Sequence, residues 1–154
     1  MVKKFTSLGL MSGTSMDGID ASIIVSDGYQ ECFFKFDKYL KYSEGLRTKL
    51  MNTRDKVLKL DDLKRFSGEI KELEKEITIC HAEFVNNILN NFKIEIDVIG
   101  FHGQTIFHSS KNRFSKQIGD GMLLSQLTKK KVIYNFRQED IKNGGDGAPL
   151  APIF

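Results

Sequence analysis

No apolar run in the 154-residue sequence approaches the roughly 20 residues that a membrane-crossing helix needs, which excludes an integral helical membrane protein. Cysteine is scarce. Cys32 and Cys80 are too few for a disulfide scaffold and read as reduced thiols of a cytoplasmic protein. Neither sign of charge dominates: 23 basic residues face 20 acidic ones for a net charge of +3, which is no electrostatic footprint for nucleic acid. The stretch Phe5 to Met11 superficially imitates an export signal. Thr6 and Ser7 interrupt it and Asp17 and Asp20 follow at once, so it is not expected to act as one. Repeats, low-complexity tracts and linkers are lacking too. What remains, 28% charged and 40% hydrophobic, is the balance of an ordinary globular domain with one core.

Hydrophobic periodicity divides the chain into strands and helices. Phe5 to Ser12, Ile19 to Val25 and Glu31 to Tyr39 have strand-length apolar patterns, and Asp27-Gly28 signals a hairpin, so the first 40 residues predict an antiparallel meander. Ser43 to Arg54 predicts a short helix with Ser43 as its N-cap. From Asp61 to Phe92, Leu63, Phe66, Ile70, Leu73, Ile77, Cys80, Phe84 and Ile88 recur at steps of three and four, the stripe of a long helix with a bend or break expected near Gly68. Asp97 to Phe101, Gln104 to His108 (after a turn at Gly103), Lys116 to Gly119 and Lys131 to Phe136 predict further strands. Asp120 to Thr128 suits a short helix. The order predicts one α/β domain, a mixed sheet of about five strands with flanking helices.

Three segments could carry chemistry. In Gly13-Thr14-Ser15-Met16-Asp17-Gly18-Ile19-Asp20 a strand enters and another leaves, so a tight hairpin should expose hydroxyls and backbone N–H groups able to cradle phosphate oxygens. Asp17 and Asp20 could hold a hydrated Mg²⁺ beside them. A turn that uses the same residues only to satisfy itself is the alternative. The segment is neither a P-loop nor a nucleophile elbow. His102, Gln104 and Thr105, at an expected strand end, offer imidazole, amide and hydroxyl groups suited to a polyhydroxylated ligand; a satisfied histidine beside a turn is the alternative. Arg137 could clamp a carboxylate or phosphate, with Asp140 and the glycines of Gly144-Gly145-Asp146-Gly147 beside it, or the segment is a strand followed by a solvated loop. His81 reads as structural, and Lys129-Lys130-Lys131 as a solvated helix end.

Together the motifs Gly9 to Asp20, His102-Gly103-Gln104-Thr105, and Phe136-Arg137 with Asp140 and Gly144 to Leu150 resemble anhydro-N-acetylmuramic acid kinase in order and spacing. The resemblance implies one lobe of the actin and sugar-kinase (ribonuclease H-like) fold. It implies ATP and Mg²⁺ as cofactors and 1,6-anhydro-N-acetylmuramic acid as substrate, opened by water to N-acetylmuramic acid 6-phosphate in cytosolic cell-wall recycling. Gly13, Thr14, Ser15, Met16, Asp17, Gly18, Ile19 and Asp20 would match the family's ATP-phosphate loop. His102, Gln104, Thr105, Arg137 and Asp140 would lie near the cleft and the sugar. Two positions depart from the family pattern: Asn135 stands where aspartate is usual, and Asp146 where glutamine is usual.

The resemblance also implies that the family's catalytic aspartate and second lobe fall beyond residue 154. Residues 1–154 are therefore expected to form a truncated N-terminal lobe, inactive alone, with apolar Leu150, Ile153 and Phe154 left as a patch prone to association. A natural fragment and a split gene product partnered by a separately encoded C-terminal half are both left open, as is a homo-oligomer. The competing readings are a non-catalytic remnant and an unrelated nucleotide-binding module.

Overall fold

The computed structural model describes residues 2–109 and 111–148; the expected apolar patch at Leu150, Ile153 and Phe154 lies outside them. Strands β1 (Phe5–Ser12), β2 (Gly18–Ser26) and β3 (Cys32–Lys41) form the antiparallel meander. Helices α1 (Glu44–Lys56), α2 (Leu60–Arg65) and α3 (Ser67–Phe92) follow. Then come β4 (Val98–Ser109), β5 (Phe114–Ile118), α4 (Gly121–Thr128), β6 (Lys131–Tyr134) and α5 (Phe136–Lys142). The sheet has six strands and runs β3-β2-β1-β4-β5. β1 pairs in parallel with β4, and β4 in parallel with β6. The far edge of β4 is shared: β6 lies along Val98 to Phe101, and β5 returns antiparallel along Gln104 to Ser109. This is the α/β class with flanking helices that the periodicity and the family resemblance both imply.

Alternation along the strands sends one set of side chains to the helices. Leu8 and Leu10 of β1, Ile19, Ala21 and Ile23 of β2, and Ile99 and Phe101 of β4 are buried with Ile70, Leu73, Ile77, Val85 and Ile88 of α3. The helical stripe is where its spacing places it. The break falls at Phe66, which ends α2 and begins α3. Ser43 caps α1 as expected, its hydroxyl accepting from the Leu46 N–H at 3.2 Å. Asp120 caps α4 in the same way at 2.9 Å.

Two expectations need correction. The stretch from Asp97 to His108 is not two strands around a turn but one strand, β4, with an irregularity at Gly103. Buried positions run Ile99, Phe101, then Gln104 and Ile106, so one extra residue is accommodated between Phe101 and Gln104. Glycine is required there: φ is +70°, and a Cβ would meet the Ile118 carbonyl oxygen at 2.5 Å. The second correction concerns the last strand, which ends at Tyr134. Asn135 takes the left-handed conformation at φ 63°, which asparagine tolerates, and the chain turns into α5. Arg137 and Asp140 thus sit on a helix rather than on a strand and loop. A four-residue strand and a seven-residue helix are too short for periodicity to separate them.

Gly103→Ala should lower stability by about 2 kcal/mol, because the substitution meets both a positive φ and a backbone oxygen. Urea denaturation read by far-UV circular dichroism measures it; an unchanged midpoint would remove the assigned role of Gly103.

Candidate functional site

The hairpin between β1 and β2 is the structural core of the site. Met16 N–H donates to Gly13 O at 3.2 Å and closes a tight turn. Met16 has φ 54°, and its side chain is buried under the loop. Ile19 is buried as well, so Met16 and Ile19 can offer a ligand only their backbone. Gly18 is buried against β3: a Cβ there would run into the Leu40 carbonyl oxygen and the Tyr39 ring. Thr14, Ser15, Asp17 and Asp20 are exposed, and Gly13 is half-buried. The Ser15 hydroxyl donates to the Asp17 carboxylate, and this bond is the largest cause holding the Asp17 carboxyl below its usual range. The Tyr39 hydroxyl and the Arg47 charge act in the same direction.

The second motif meets the first through Gln104. Its side chain is fully buried, and Nε2 donates to Gly13 O at 2.8 Å. Gln104 therefore holds the loop from below instead of facing outward, and its Oε1 has no partner. Thr105 is half-buried and its hydroxyl accepts from Gln117 Nε2 at 3.2 Å. His102 belongs to the opposite set of side chains from Phe101, on the side of the sheet where the Phe136 ring lies 3.7 Å from the Cβ position of Gly100.

The third motif meets the second through His102. Arg137 Nε donates to His102 Nε2 at 2.8 Å. His102 Nδ1 donates to Gly103 O at 2.7 Å, so one neutral tautomer satisfies both ring nitrogens. Burial, with the Arg137 charge beside it, lowers the His102 pKa. Arg137 also donates from a terminal nitrogen to Gly147 O at 2.7 Å. Asp140 accepts from Gly147 N–H at 2.8 Å through its carboxylate and from Gly145 N–H at 2.9 Å through its backbone. Arg137 and Asp140 together fold the glycine segment back onto α5.

The loop turns outward two hydroxyls, turn N–H groups that can donate to phosphate oxygens, and two hard carboxylates suited to a hydrated cation. Among the described residues no group of three or more His, Cys, Asp or Glu could hold an ion unaided. A cation at Asp17 and Asp20 would complete its shell with water and phosphate oxygens, as Mg²⁺ does. No helix among the described residues is long and apolar enough to cross a membrane.

Three buried residues that the sequence does not connect, Ser12, Tyr42 and His81, meet beneath the loop. Ser12 Oγ lies 2.8 Å from the Tyr42 hydroxyl and 3.3 Å from His81 Nε2, while His81 Nδ1 bonds to Ile77 O at 2.8 Å. One signal was available: His81 stands four residues after Ile77, on the apolar face of α3, where a polar side chain needs a partner. Tyr42 gives no such signal, since its partners are 25 or more positions away in sequence.

A mixed sheet with flanking helices that brings together a hydroxyl-rich hairpin, a parallel strand end and a folded glycine segment is an α/β fold consistent with a sugar-kinase-like lobe. Comparison with known proteins narrows the class. The sequence profile of anhydro-N-acetylmuramic acid kinase matches residues 5–154, and the chain belongs to that family. It is 56% identical over 154 residues to the anhydro-N-acetylmuramic acid kinase of Pelagibacter ubique, covering 100% of this chain and 41% of the relative. Identity to the Brucella canis kinase is 40% over 151 residues, covering 96% of this chain and 40% of that protein. For Agrobacterium fabrum it is 38% over 152 residues, covering 97% and 41%. The chain thus spans about two-fifths of the length of the curated relatives it matches.

Burial drives the His81 pKa from 6.5 down to about 4. Unfolded chains take up this proton near pH 6.5 and folded ones only near pH 4, so stability is full above pH 6.5 and falls as pH drops through that window. The expected loss from this group is about 3 kcal/mol by pH 4. Denaturation from pH 7.5 to 4 with the unaltered chain and His81→Asn measures it, since the difference between the two isolates His81. Parallel stability profiles would contradict the assignment.

Proposed function

We propose that this chain is the N-terminal lobe of an ATP-dependent kinase that converts 1,6-anhydro-N-acetylmuramic acid to N-acetylmuramic acid 6-phosphate in cytosolic recycling of cell-wall sugars. The observation that carries the reading is the hydrogen-bonded continuity of three distant motifs, Gly13 to Gln104 and His102 to Arg137, in a member of this family. In this reading the N–H groups and hydroxyls of Gly13, Thr14 and Ser15 cradle the nucleotide phosphates, with Gly18 allowing the close approach of β3. Met16 and Ile19 anchor the loop in the core, and Asp17 and Asp20 hold the hydrated cation. Bound ATP supplies the phosphoryl group, and Mg²⁺ neutralises the charge on its phosphates.

Thr105 and Arg137 serve the sugar side, with His102 orienting the Arg137 guanidinium. Arg137 keeps a guanidinium edge beyond its bonds to His102 and Gly147, suited to an anionic or hydroxyl-rich group. Gln104 and Asp140 act from behind, the first on the phosphate loop and the second on the glycine segment. The carboxylate that activates the attacking water is assigned to the part of the family's length beyond residue 154, as is the second wall of the cleft. Positioning supplies much of the rate in such a reaction, so a single lobe should be inert.

ADP release with the anhydro sugar tests this, first with the chain alone and then with the C-terminal part of the Pelagibacter ubique relative added. No turnover is expected alone, and sugar-dependent turnover on addition. Asp17→Ala and Asp20→Ala should each lower the restored rate by about tenfold to a hundredfold, since each removes charge that matters most in the transition state. Turnover by the chain alone would overturn the need for a second lobe. None after complementation would favour a non-catalytic remnant.

A further inference from the structure

Tyr42 follows β3 immediately and is 3% exposed. It touches the β1–β2 loop at both of its ends. Its backbone N–H donates to Asp17 O at 2.8 Å, and its hydroxyl lies 2.8 Å from Oγ of Ser12, the last residue of β1. Between those two anchors lie the outward-facing residues of the loop.

The direction of the buried hydrogen bonds follows by elimination. Ile77 O can only accept, so His81 Nδ1 carries a hydrogen and donates to it. A fully buried, neutral imidazole then leaves Nε2 as a bare acceptor. The Ser12 hydroxyl must donate its single proton to that nitrogen, at 3.3 Å. Its oxygen is left to accept, so the Tyr42 O–H is the donor. The chain runs one way, from Tyr42 through Ser12 and His81 to the backbone of α3. Every group in it is buried, so deleting one member strands the next without water to replace it. Gln104 pins Gly13 O from the other side of the loop. Ser12, Gly13 and Asp17 are thereby fixed to α3, β4 and the residue that follows β3, respectively.

We infer that Tyr42, acting through Ser12 and His81, is a positioning residue for the phosphate-binding loop, holding the span from Ser12 to Asp17 so that its donors face a nucleoside triphosphate. The inference rests on the phosphate-loop reading above. The phenol itself is buried and touches no ligand. Its contribution is pre-organisation: a loop already set in shape loses less freedom when phosphates bind.

Tyr42→Phe removes one oxygen and leaves the ring and the backbone bond in place. Two readouts are taken on the full chain: amide hydrogen exchange at residues 13–18 without ligand, and the dissociation constant for Mg·ATP. Exchange in the loop should accelerate about tenfold while strands β1 and β4 keep their protection, and the dissociation constant should rise about tenfold. Ser12→Ala should reproduce both effects and Ser12→Thr should restore the hydroxyl and reverse them, a pair that carries the same test if Tyr42→Phe fails to fold. Unchanged loop exchange in Tyr42→Phe and Ser12→Ala would overturn the clamp. Faster exchange in a chain whose unaltered form binds no Mg·ATP would uphold the clamp and overturn the phosphate-loop reading beneath it.

Discussion

The parallel pairing of β1 with β4 slips by one residue between Leu10 and Ser12, and Gly103 absorbs the slip. Without that extra residue, strict alternation would send Gln104 to the same face of the sheet as His102. With it, Gln104 joins Phe101 and Ile106 among the buried positions and reaches Gly13 O, while His102 stays on the far face to meet Arg137. A single glycine conformation thus splits one tetrapeptide motif into two devices on opposite faces. One supports the hairpin loop, and the other receives α5 and the glycine segment. The rest of the site is built outward from that division.

Beneath the loop, polarity is arranged with little redundancy. Ser12, Tyr42 and His81 satisfy one another in a space closed to water, and the His81 ring packs on Phe101 at 5.0 Å between centroids. Such an arrangement is costly to disturb because each member has no alternative partner. The exposed loop above it is polar and carries a charge at Asp17 whose ionised form Ser15 favours. A rigid, neutral base below a charged, outward-facing rim is a sound design for binding an anion with its counter-cation.

Most of the scaffold was legible in the sequence because its signals are long or local. The stripe from Leu63 to Ile88, the cap at Ser43 and the strand-loop-strand around Gly13 to Gly18 each announce themselves within one continuous stretch of sequence. Helix α5 did not, since seven residues offer too little periodicity and Asn135 gives only a general licence to turn. Gly103 reads as a turn between two strand segments, because glycine serves turns and bulges alike, and it is a bulge within one strand. At the site, the motifs were visible but not their directions. Gln104 reads as a ligand contact and its amide is a buried support, while His81 reads as structural and is, closing the chain that holds Ser12. The burial of Gln104 depends on which face of the sheet it occupies, and a one-residue slip reverses that without any trace in composition.

The central claim is that the hairpin loop, the end of β4 and α5 form one continuous site with the loop as its anion-binding centre. Backbone ¹H–¹⁵N chemical-shift mapping of the chain titrated with Mg·ATP tests it most directly. The account predicts the largest shifts at residues 13–20, smaller ones at His102, Gly103 and Gln104 through the bond to Gly13, and still smaller ones at Arg137. Shifts that leave residues 13–20 untouched, or that cluster instead along the charged groove between α1 and α3 around Lys49, Lys56 and Glu76, would contradict it.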